Sequence, residues 1–409
     1  MQFRPYDPER DREAVHRIWR EIGWIEAGKE EIMDVCIEAG RTMVADLDGS
    51  AECVVLSARG DMRYGDESLP FAGLTGVSTS RVARKQGLAR RLTALTVALD
   101  VADGVQVHGL GMFDQGFYNR LGYGTGPYEH WVTFDPATLT VDARFRVPRR
   151  LGKEDAQAMH DCRLRRHRVH GAINLDHLGN TRHEAMSTDG GFGLGYYDGP
   201  GDTLSHHIWL GTKSVGHGPY SVYWMAYQTR EQFLELMALL KGLGDQVRSV
   251  GMEEPGDIQL QDLLAQPFRQ RGITQGSRHE TGVRAHAFWQ VRICDLAACL
   301  ERTHLPGESV QFNLRLTDPI AEHLEADAPW RGVGGEYVVA LGPSSGAERG
   351  IDPALPTLEA TVNAFSRLWL GTRPATGLAF TDDLRGPQDL LERLDRVVRL
   401  PKPHMGWEY

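Results

Sequence analysis

Leu74-Thr-Gly-Val-Ser-Thr-Ser-Arg81-Val-Ala-Arg84-Lys-Gln-Gly87-Leu-Ala-Arg-Arg-Leu92 reads as a strand, a basic loop and the start of a helix. The apolar strand ends at Val77, and Gly87 opens a helix whose buried stripe is Leu88, Leu92, Leu95 and Leu99. The first turn of a helix leaves backbone N–H groups unpaired and carries positive partial charge. A pyrophosphate fits there if the backbone can come close, and Gly87 permits that because it has no side chain. Arg81, Arg84, Lys85, Arg90 and Arg91 gather five positive charges in eleven residues, and some of them can reach phosphates. Read without a ligand, the same residues are a solvated basic helix start.

Working outward, residues 3 to about 135 alternate helix and strand. Asp7 can cap a first helix, Pro8 suits its first turn, Val15, Ile18, Trp19 and Ile22 recur at helical spacing, and Gly23 stops it. Strands are expected over 42–45, 51–58 and 71–78, with turn signals at Asp48-Gly49 and Gly65-Asp66. A basic segment over 144–150, with Pro148, reads as a linker into a second stretch that runs to about 275. There, residues 221–227 read as a strand, and Thr229-Arg-Glu-Gln232 is a capping box opening a helix with Phe233, Leu234, Met237 and Leu240. The loop 226–232 contains no glycine, so no phosphate site is expected in this stretch. A third stretch begins near 283, with strands expected over 287–293, 309–316 and 336–341 and helices over 362–370 and 388–398. The tail from Pro401 to Tyr409 holds two prolines and cannot be a regular helix.

The 409-residue length suggests two to four domains, and an apolar share of 41% is enough for sizeable cores. No run of 18 apolar residues occurs, and the start Met-Gln-Phe-Arg-Pro-Tyr-Asp-Pro has no apolar signal region, so neither a membrane span nor a secretory signal is expected. The cysteines (Cys36, Cys53, Cys162, Cys294, Cys299) are scattered and odd in number, which fits a reduced, cytoplasmic protein. A net charge of −10 disfavours nucleic acid and favours cationic small molecules or basic peptides as partners.

The pattern Arg84-x-x-Gly87-x-Ala89, set between an apolar strand and an amphipathic helix, resembles the acetyl-CoA pyrophosphate loop of the GNAT superfamily of N-acetyltransferases. Downstream, Phe117-Tyr118-Asn-Arg-Leu-Gly122-Tyr123-Gly124 resembles the Tyr-x-x-x-Gly-aromatic pattern of the same superfamily. The resemblance implies acetyl-CoA as cosubstrate. Val77, Ser78 and Thr79 at the strand end, with Arg84, Lys85, Gly87, Leu88 and Ala89 on the loop and helix, would line it. It also implies that Tyr118 protonates the departing thiolate, with Tyr123 in the aromatic slot. A tyrosine hydroxyl, pKa near about 10, is protonated at neutral pH and can donate as the thiolate leaves. The bland alternative is that Tyr118 only packs.

Over its whole length the chain is similar to the Eis (enhanced intracellular survival) family. The likeness is carried by the run Gly251-Met-Glu-Glu-Pro-Gly-Asp-Ile-Gln-Leu-Gln-Asp-Leu-Leu264, by Pro267-Phe268-Arg269, by Leu368-Trp-Leu-Gly371 and by the ending Trp407-Glu-Tyr409. It implies an α/β (α+β) chain of tandem GNAT-like domains plus a C-terminal sterol-carrier-protein-like domain. The expected division is a catalytic domain over 1–143, a degenerate second GNAT-like domain over 144–282 and the sterol-carrier-like domain with its tail over 283–409. It further implies that the base is the C-terminal carboxylate of Tyr409. A lysine-like ammonium, pKa about 10.4, must lose a proton before attacking a thioester, and burial raises the basicity of a carboxylate. Extended, the nine-residue tail spans up to about 30 Å and can reach the first domain. The expected acceptors are primary amines, either aminoglycoside-like polyamines or lysine side chains of peptides, met by Trp24, Glu26, Asp34 and Glu38. A homo-oligomer, a hexamer by resemblance, is expected, with no metal.

Other motifs carry less. Gly342-Pro-Ser344-Ser-Gly346 matches GxSxG after a strand, but Gly350, Asp352 and Pro353 follow where a nucleophile elbow needs a helix. Gly190-Gly191-Phe-Gly193-Leu-Gly195 is read as strand and turn, and His160, His167, His170, His206 and His207 as surface or satisfied histidines. The competing class is a lipid or small-molecule carrier in which the third domain holds an apolar tunnel and the GNAT part is inert.

Overall fold

The computed structural model describes residues 1–267 and 274–409. They form two compact units: Met1–Pro127 with Val169–His177 and Ala287–Tyr409, and Tyr128–Arg168 with Leu178–His286.

The first unit opens with β1 (Gln2–Pro5) and α1 (Pro8–Ile22). α1 is fixed at both ends as its sequence expects. The Asp7 carboxylate accepts from the Glu9 N–H at 3.0 Å, Pro8 fills the first turn, and Gly23 closes the helix at φ 79°, which glycine adopts without steric cost. Val15, Ile18 and Trp19 are fully buried, each side chain of this size stabilising by about 1.5–3 kcal/mol on leaving water. Then come α2 (Glu31–Glu38), β2 (Arg41–Leu47), β3 (Ser50–Tyr64) and β4 (Glu67–Thr79). The turns at Asp48-Gly49 and Gly65-Asp66 fall where expected. β3 and β4 run well beyond the apolar runs 51–58 and 71–78, because their hairpin stays in register from Arg59↔Ala72 to Tyr64↔Glu67. Cross-strand pairing holds polar residues in strands that composition alone would leave as loop. α3 (Leu88–Ala102) leads to β5 (Val107–Gly111), which lies parallel to β4. α4 (Gln115–Asn119) and β6 (Gly124–Thr125) follow.

The second unit holds β7 (Glu129–Phe134), β8 (Arg149–Leu151) and α5 (Ala156–Leu164), and β9 (Ile173–Leu175) returns to the first unit. α6 (Leu178–Ser187), β10 (Phe192–Tyr196), β11 (His206–Gly211), β12 (Tyr220–Ala226), α7 (Arg230–Gly242), β13 (Val250–Glu253) and β14 (Gly282–His286) complete it. Its sheet runs β14-β7-β13-β12-β11-β10-β8. β12, α7 and parallel β13 repeat the order of β4, α3 and parallel β5. The glycine cluster at 190–195 is turn and strand, as expected. His160, His206 and His207 are buried rather than on the surface. They are held by Thr181 at 3.0 Å, Glu235 at 3.1 Å and the Trp224 indole N–H at 2.9 Å respectively. Phe268 and Arg269 of the Pro267-Phe-Arg run lie outside the described residues.

The chain re-enters the first unit with β15 (Trp289–Ile293) and α8 (Leu296–Glu301). β16 (Val310–Thr317), β17 (Gly335–Leu341), β18 (Gly346–Arg349), β19 (Thr357–Thr361), α9 (Val362–Trp369), α10 (Ala375–Thr381), β20 (Leu384–Arg385) and α11 (Gln388–Val397) follow. β15 inserts antiparallel beside β5, giving a first sheet of order β1-β2-β3-β4-β5-β15-β6 with β9 on β3. The strands from β16 onward form their own sheet, β18-β17-β16-β19-β20, over a core that includes Phe312, Leu314, Val339, Leu358 and Leu394. Gly342 to Gly346 is the turn between β17 and β18, with the Gly342 N–H donating to Ser345 Oγ at 3.0 Å, so GxSxG is no nucleophile elbow here. No helix of the described residues is long and apolar enough to cross a membrane.

Candidate active site

β4 and α3 meet at the basic loop. The register of β4 on β3 slips at a bulge between Val54 and Leu56, and Gly76 sits there at φ 63°. A bulge turns backbone groups out of the ladder. Beyond it Val77 is half-buried, the buried Ser78 hydroxyl donates to the Gly76 carbonyl at 3.2 Å, and the Thr79 hydroxyl donates to Cys53 Sγ at 3.4 Å. Gly87, at φ 77°, is the N-cap of α3, and no side chain caps the helix. A Cβ on Gly87 would meet no protein atom within 4 Å. The space beside the Gly87 backbone at the start of α3 is therefore open among the described residues, next to a buried Leu88 and a half-buried Ala89. Lys85 is also left-handed, at φ 63°, a conformation that costs a non-glycine residue about 1–2 kcal/mol. Of the five cations, Arg81 is tied to Glu21 through its N–H (2.7 Å) and guanidinium (3.1 Å), and Arg91 pairs with Glu325. Arg84 and Lys85 are exposed and form no ion pair among the described residues. These are features a pyrophosphate site uses: a helix start with no side-chain cap, an open backbone at Gly87 and two cations without an ion pair among the described residues.

α7 makes the contrast. The Thr229 hydroxyl caps it by accepting from the Gln232 N–H at 3.3 Å, and the Gln232 side chain reaches back to the Gln228 N–H at 2.7 Å. One first-turn donor of α7, the Gln232 N–H, is thus engaged by the capping side chain.

Tyr118 is in the last turn of α4, a short helix capped by Asp114 accepting from the Phe117 N–H at 3.1 Å. Its ring is buried edge-on against Phe117, Phe113 and Tyr123, with centroids 4.9, 6.1 and 6.2 Å away. Its hydroxyl makes no hydrogen bond among the described residues. Burial, and then the nearby Asp114 charge, push its ionisation well above the ordinary phenol range, so it stays a proton donor.

The chain end lies in the same unit. Gly73 of β4 and Gly109 of β5 are partners across the parallel pair. A methyl group at Gly73 would lie 2.5 Å from the Tyr409 ring, and one at Gly109 would lie 2.8 Å from its hydroxyl. The two glycines thus form a bare floor on which the Tyr409 ring rests, its centroid 6.2 Å from that of the edge-on Phe71 ring. The tail is pinned as it approaches: the His404 N–H donates to the His170 carbonyl at 2.9 Å, the Ile173 N–H to the Met405 carbonyl at 3.0 Å, and Met405 and Trp407 are buried.

Sequence reasoning missed three groups. Gly73 and Gly109 carry no local signal, since each lies inside an apolar strand and matters only through what rests on it. The third is a buried chain. The Asp100 carboxylate is 3.1 Å from His108 Nε2, and His108 Nδ1 is 3.0 Å from the Tyr123 hydroxyl. Asp100 can only accept when ionised, so His108 Nε2 donates to it. Burial raises Asp100, but hydrogen bonds from His108 and Ser57 and the charge of Arg41 outweigh it and hold the carboxyl below its ordinary range. A single acid on the apolar face of α3 was the available signal.

The acceptor-side residues are scattered in state. Trp24 is exposed after α1, Glu26 pairs with Lys29 at 2.8 Å, and Glu38 is exposed at the end of α2. Asp34 is committed to Arg12 and His16, both at 2.7 Å, so much of its charge is locally neutralised.

Residues 9–126 match the acetyltransferase (GNAT) domain and residues 296–406 the sterol carrier protein domain. Solved structures align over the full chain. A conserved protein of unknown function from Enterococcus faecalis V583 shows 16% identity and a TM-score of 0.79, with 100% of this chain and 99% of that one covered. A GCN5-related N-acetyltransferase from Anabaena variabilis shows 13% and 0.77, and Eis1 from Mycobacterium abscessus 17% and 0.76, each with both chains covered completely. At such identities the likeness is one of fold. No curated protein sequence matches significantly. With the GNAT domain seated on the open helix start at Gly87, the chain is an acetyl-CoA-dependent N-acetyltransferase that also carries a sterol carrier protein domain.

Proposed function

We propose that this enzyme acetylates primary amines by direct transfer, with Tyr118 as general acid and the Tyr409 carboxylate as general base, as in the Eis family that it resembles. The observation that carries this reading is the seat of Tyr409 on Gly73 and Gly109, which puts the last residue on the β4–β5 pair of the GNAT domain. Pyrophosphate would lie on the amides of Gly87 to Ala89, between Arg84 and Lys85, with Val77, Ser78 and Thr79 along the bulged strand. The Tyr409 carboxylate takes a proton from the ammonium. The freed amine attacks the thioester carbonyl, the C–N bond forms as the C–S bond breaks, Tyr118 gives its proton to the sulfur, and the second proton of the attacking nitrogen is lost to solvent as the Tyr118 phenolate takes one up again. Direct transfer is favoured over an acetylated thiol because burial pushes the Cys53 thiol, beside the loop, up to about 12. The proton transfers call for no metal.

The proposed division is a catalytic part over 1–143, a second GNAT-like part over 144–282 that binds no coenzyme, and the sterol-carrier-like part over 283–409. Trp24, Glu26, Asp34 and Glu38 are the groups proposed to meet the acceptor, an aminoglycoside-like polyamine or a lysine side chain. Free cysteines at all five positions favour a reducing cytoplasm, and the resemblance favours a hexamer. The test is thiol release from acetyl-CoA against a panel of aminoglycosides, linear polyamines and lysine peptides. Release that requires an amine is expected. A protein that binds acetyl-CoA and releases no thiol with any amine of the panel contradicts the reading.

A further inference from the structure

The segment that follows Tyr118 is held from outside the GNAT domain. The Asn363 side-chain amide, on α9, donates to the Asn119 carbonyl at 2.8 Å and to the Tyr123 carbonyl at 3.0 Å. The amides of Gln290, on β15, and Asn119 are hydrogen-bonded at 2.7 Å. The Arg292 guanidinium, also on β15, donates to the Leu121 carbonyl and lies over the Tyr123 ring, 5.9 Å from its centroid. Arg292 is in turn fixed by Asp318 at 2.6 Å, with both side chains essentially inaccessible. Asp318 is itself held by the N–H groups of Ile320 (3.2 Å) and Val333 (2.9 Å). Gly122, at φ 84°, lets the backbone pass close to this pair: a methyl group there would lie 2.8 Å from the Arg292 guanidinium and 2.6 Å from Val362. On the other side, the Tyr123 hydroxyl is hydrogen-bonded to His108, which is in turn hydrogen-bonded to Asp100.

A five-residue helix such as α4 has little rigidity of its own. Every carbonyl named above belongs to the turn Asn119–Tyr123, and the Tyr118 hydroxyl has no hydrogen-bond partner among the described residues. Such an arrangement fixes where the phenol points and keeps its proton available. Asn363 and Asp318 lie within the sterol carrier protein domain, at 296–406.

We propose that Asn363, Gln290 and the Arg292–Asp318 pair are positioning residues that hold the turn after Tyr118, so that the sterol carrier protein domain completes the acid half of the active site. The inference rests on the reading of Tyr118 as the acid. It gives the C-terminal domain a role in turnover that needs no lipid.

The test is a double-mutant cycle on the full-length enzyme. Asn363→Ala should lower kcat by about 10- to 100-fold, as expected for a catalytic group misplaced by a fraction of an ångström to one ångström. Acetyl-CoA affinity, measured by calorimetry, should stay within about twofold, since the loop proposed to hold the pyrophosphate, at Gly87 to Ala89, shares no residue with the turn. In a Tyr118→Phe background the same substitution should cost less than about twofold, because the group it positions is gone. Gln290→Met, which keeps volume and removes the amide, is the second variant should Asn363→Ala fold poorly, and it should show the same dependence. Equal losses in both backgrounds, or unchanged kcat in both variants, overturn the inference while leaving Tyr118 as acid. Full activity in Tyr118→Phe alone overturns the acid reading, and the inference with it.

Discussion

Tyr118 joins two properties that rarely coincide: a buried ring and a hydroxyl with no hydrogen-bond partner among the described residues. Burial disfavours the phenolate, so the folded pKa lies above 10 and the neutral acid persists through the alkaline range. The sign is therefore clear: raising pH to 10 does not deprotonate Tyr118. The alkaline side of the kcat–pH profile should stay flat to about pH 10, and a fall with an apparent pKa near 8 that disappears in Tyr118→Phe would refute this. Tyr118→Phe itself should lower kcat by about 10²- to 10⁴-fold, the usual worth of acid catalysis, with acetyl-CoA affinity close to wild type by titration. At Gly87 no protein atom opposes a side chain, so a substitution there is felt chiefly by a ligand, apart from strain at φ 77°. Gly87→Asp should weaken acetyl-CoA binding by at least 10-fold and leave melting nearly unchanged. A loss of melting temperature without loss of affinity would make this glycine structural only.

At the scale of elements, the pair β4–β5 supplies both a coenzyme loop at its end and a glycine floor in its middle. Gly73→Ala places a methyl 2.5 Å from the Tyr409 ring, and the ring must move. A displacement near one ångström in a catalytic group costs about 10²-fold, so kcat should fall by that order while acetyl-CoA still binds. Unchanged kcat would show that the ring's seat is irrelevant to turnover. α3 carries the other liability of this pair, the buried Asp100. Its carboxyl is depressed in the fold, so it contributes stability that is present above the unfolded value of about 3.9 and is lost as pH falls through the lower folded value. Asp100→Asn should destabilise by about 3 kcal/mol near neutral pH, as removal of one partner from a buried charged cluster does. It should also flatten the acid side of the stability curve in urea titrations. An undiminished acid slope in the variant would assign that slope to other carboxylates.

At the scale of the molecule, the first unit is made from both ends of the chain: β15 lies between β5 and β6, and the tail reaches Gly73 and Gly109. A C-terminal extension should therefore abolish turnover, because it converts the proposed base to an amide and adds residues beyond Tyr409. An N-terminal extension, next to an exposed Met1, should be tolerated. The two forms are compared at equal melting temperature and equal acetyl-CoA affinity, and full activity in the C-terminally extended form would remove Tyr409 from the mechanism.

The sequence by itself determined what depends on neighbours along the chain. Asp7, Pro8 and Gly23 set the ends of α1 through local hydrogen bonding and φ, the Leu stripe after Gly87 made α3, and Thr229 with Gln232 capped α7. The coenzyme loop was legible for the same reason, since a strand, a basic loop and a glycine-started helix are contiguous. The apolar run 51–58 could not show that Arg59 to Tyr64, with three charged residues among six, continue the strand, because pairing with 67–72 holds them there. Hydrophobic patterning could not distinguish a surface histidine from His207, which is buried under Trp224. The floor at Gly73 and Gly109, the link from Asp100 through His108 to Tyr123 and the hold of Asn363 on the turn after Tyr118 join residues up to hundreds of positions apart. Their partners are chosen by strand order and packing, which no window of sequence contains, so only the tertiary structure decided which side chains surround the acid and where the last residue comes to rest.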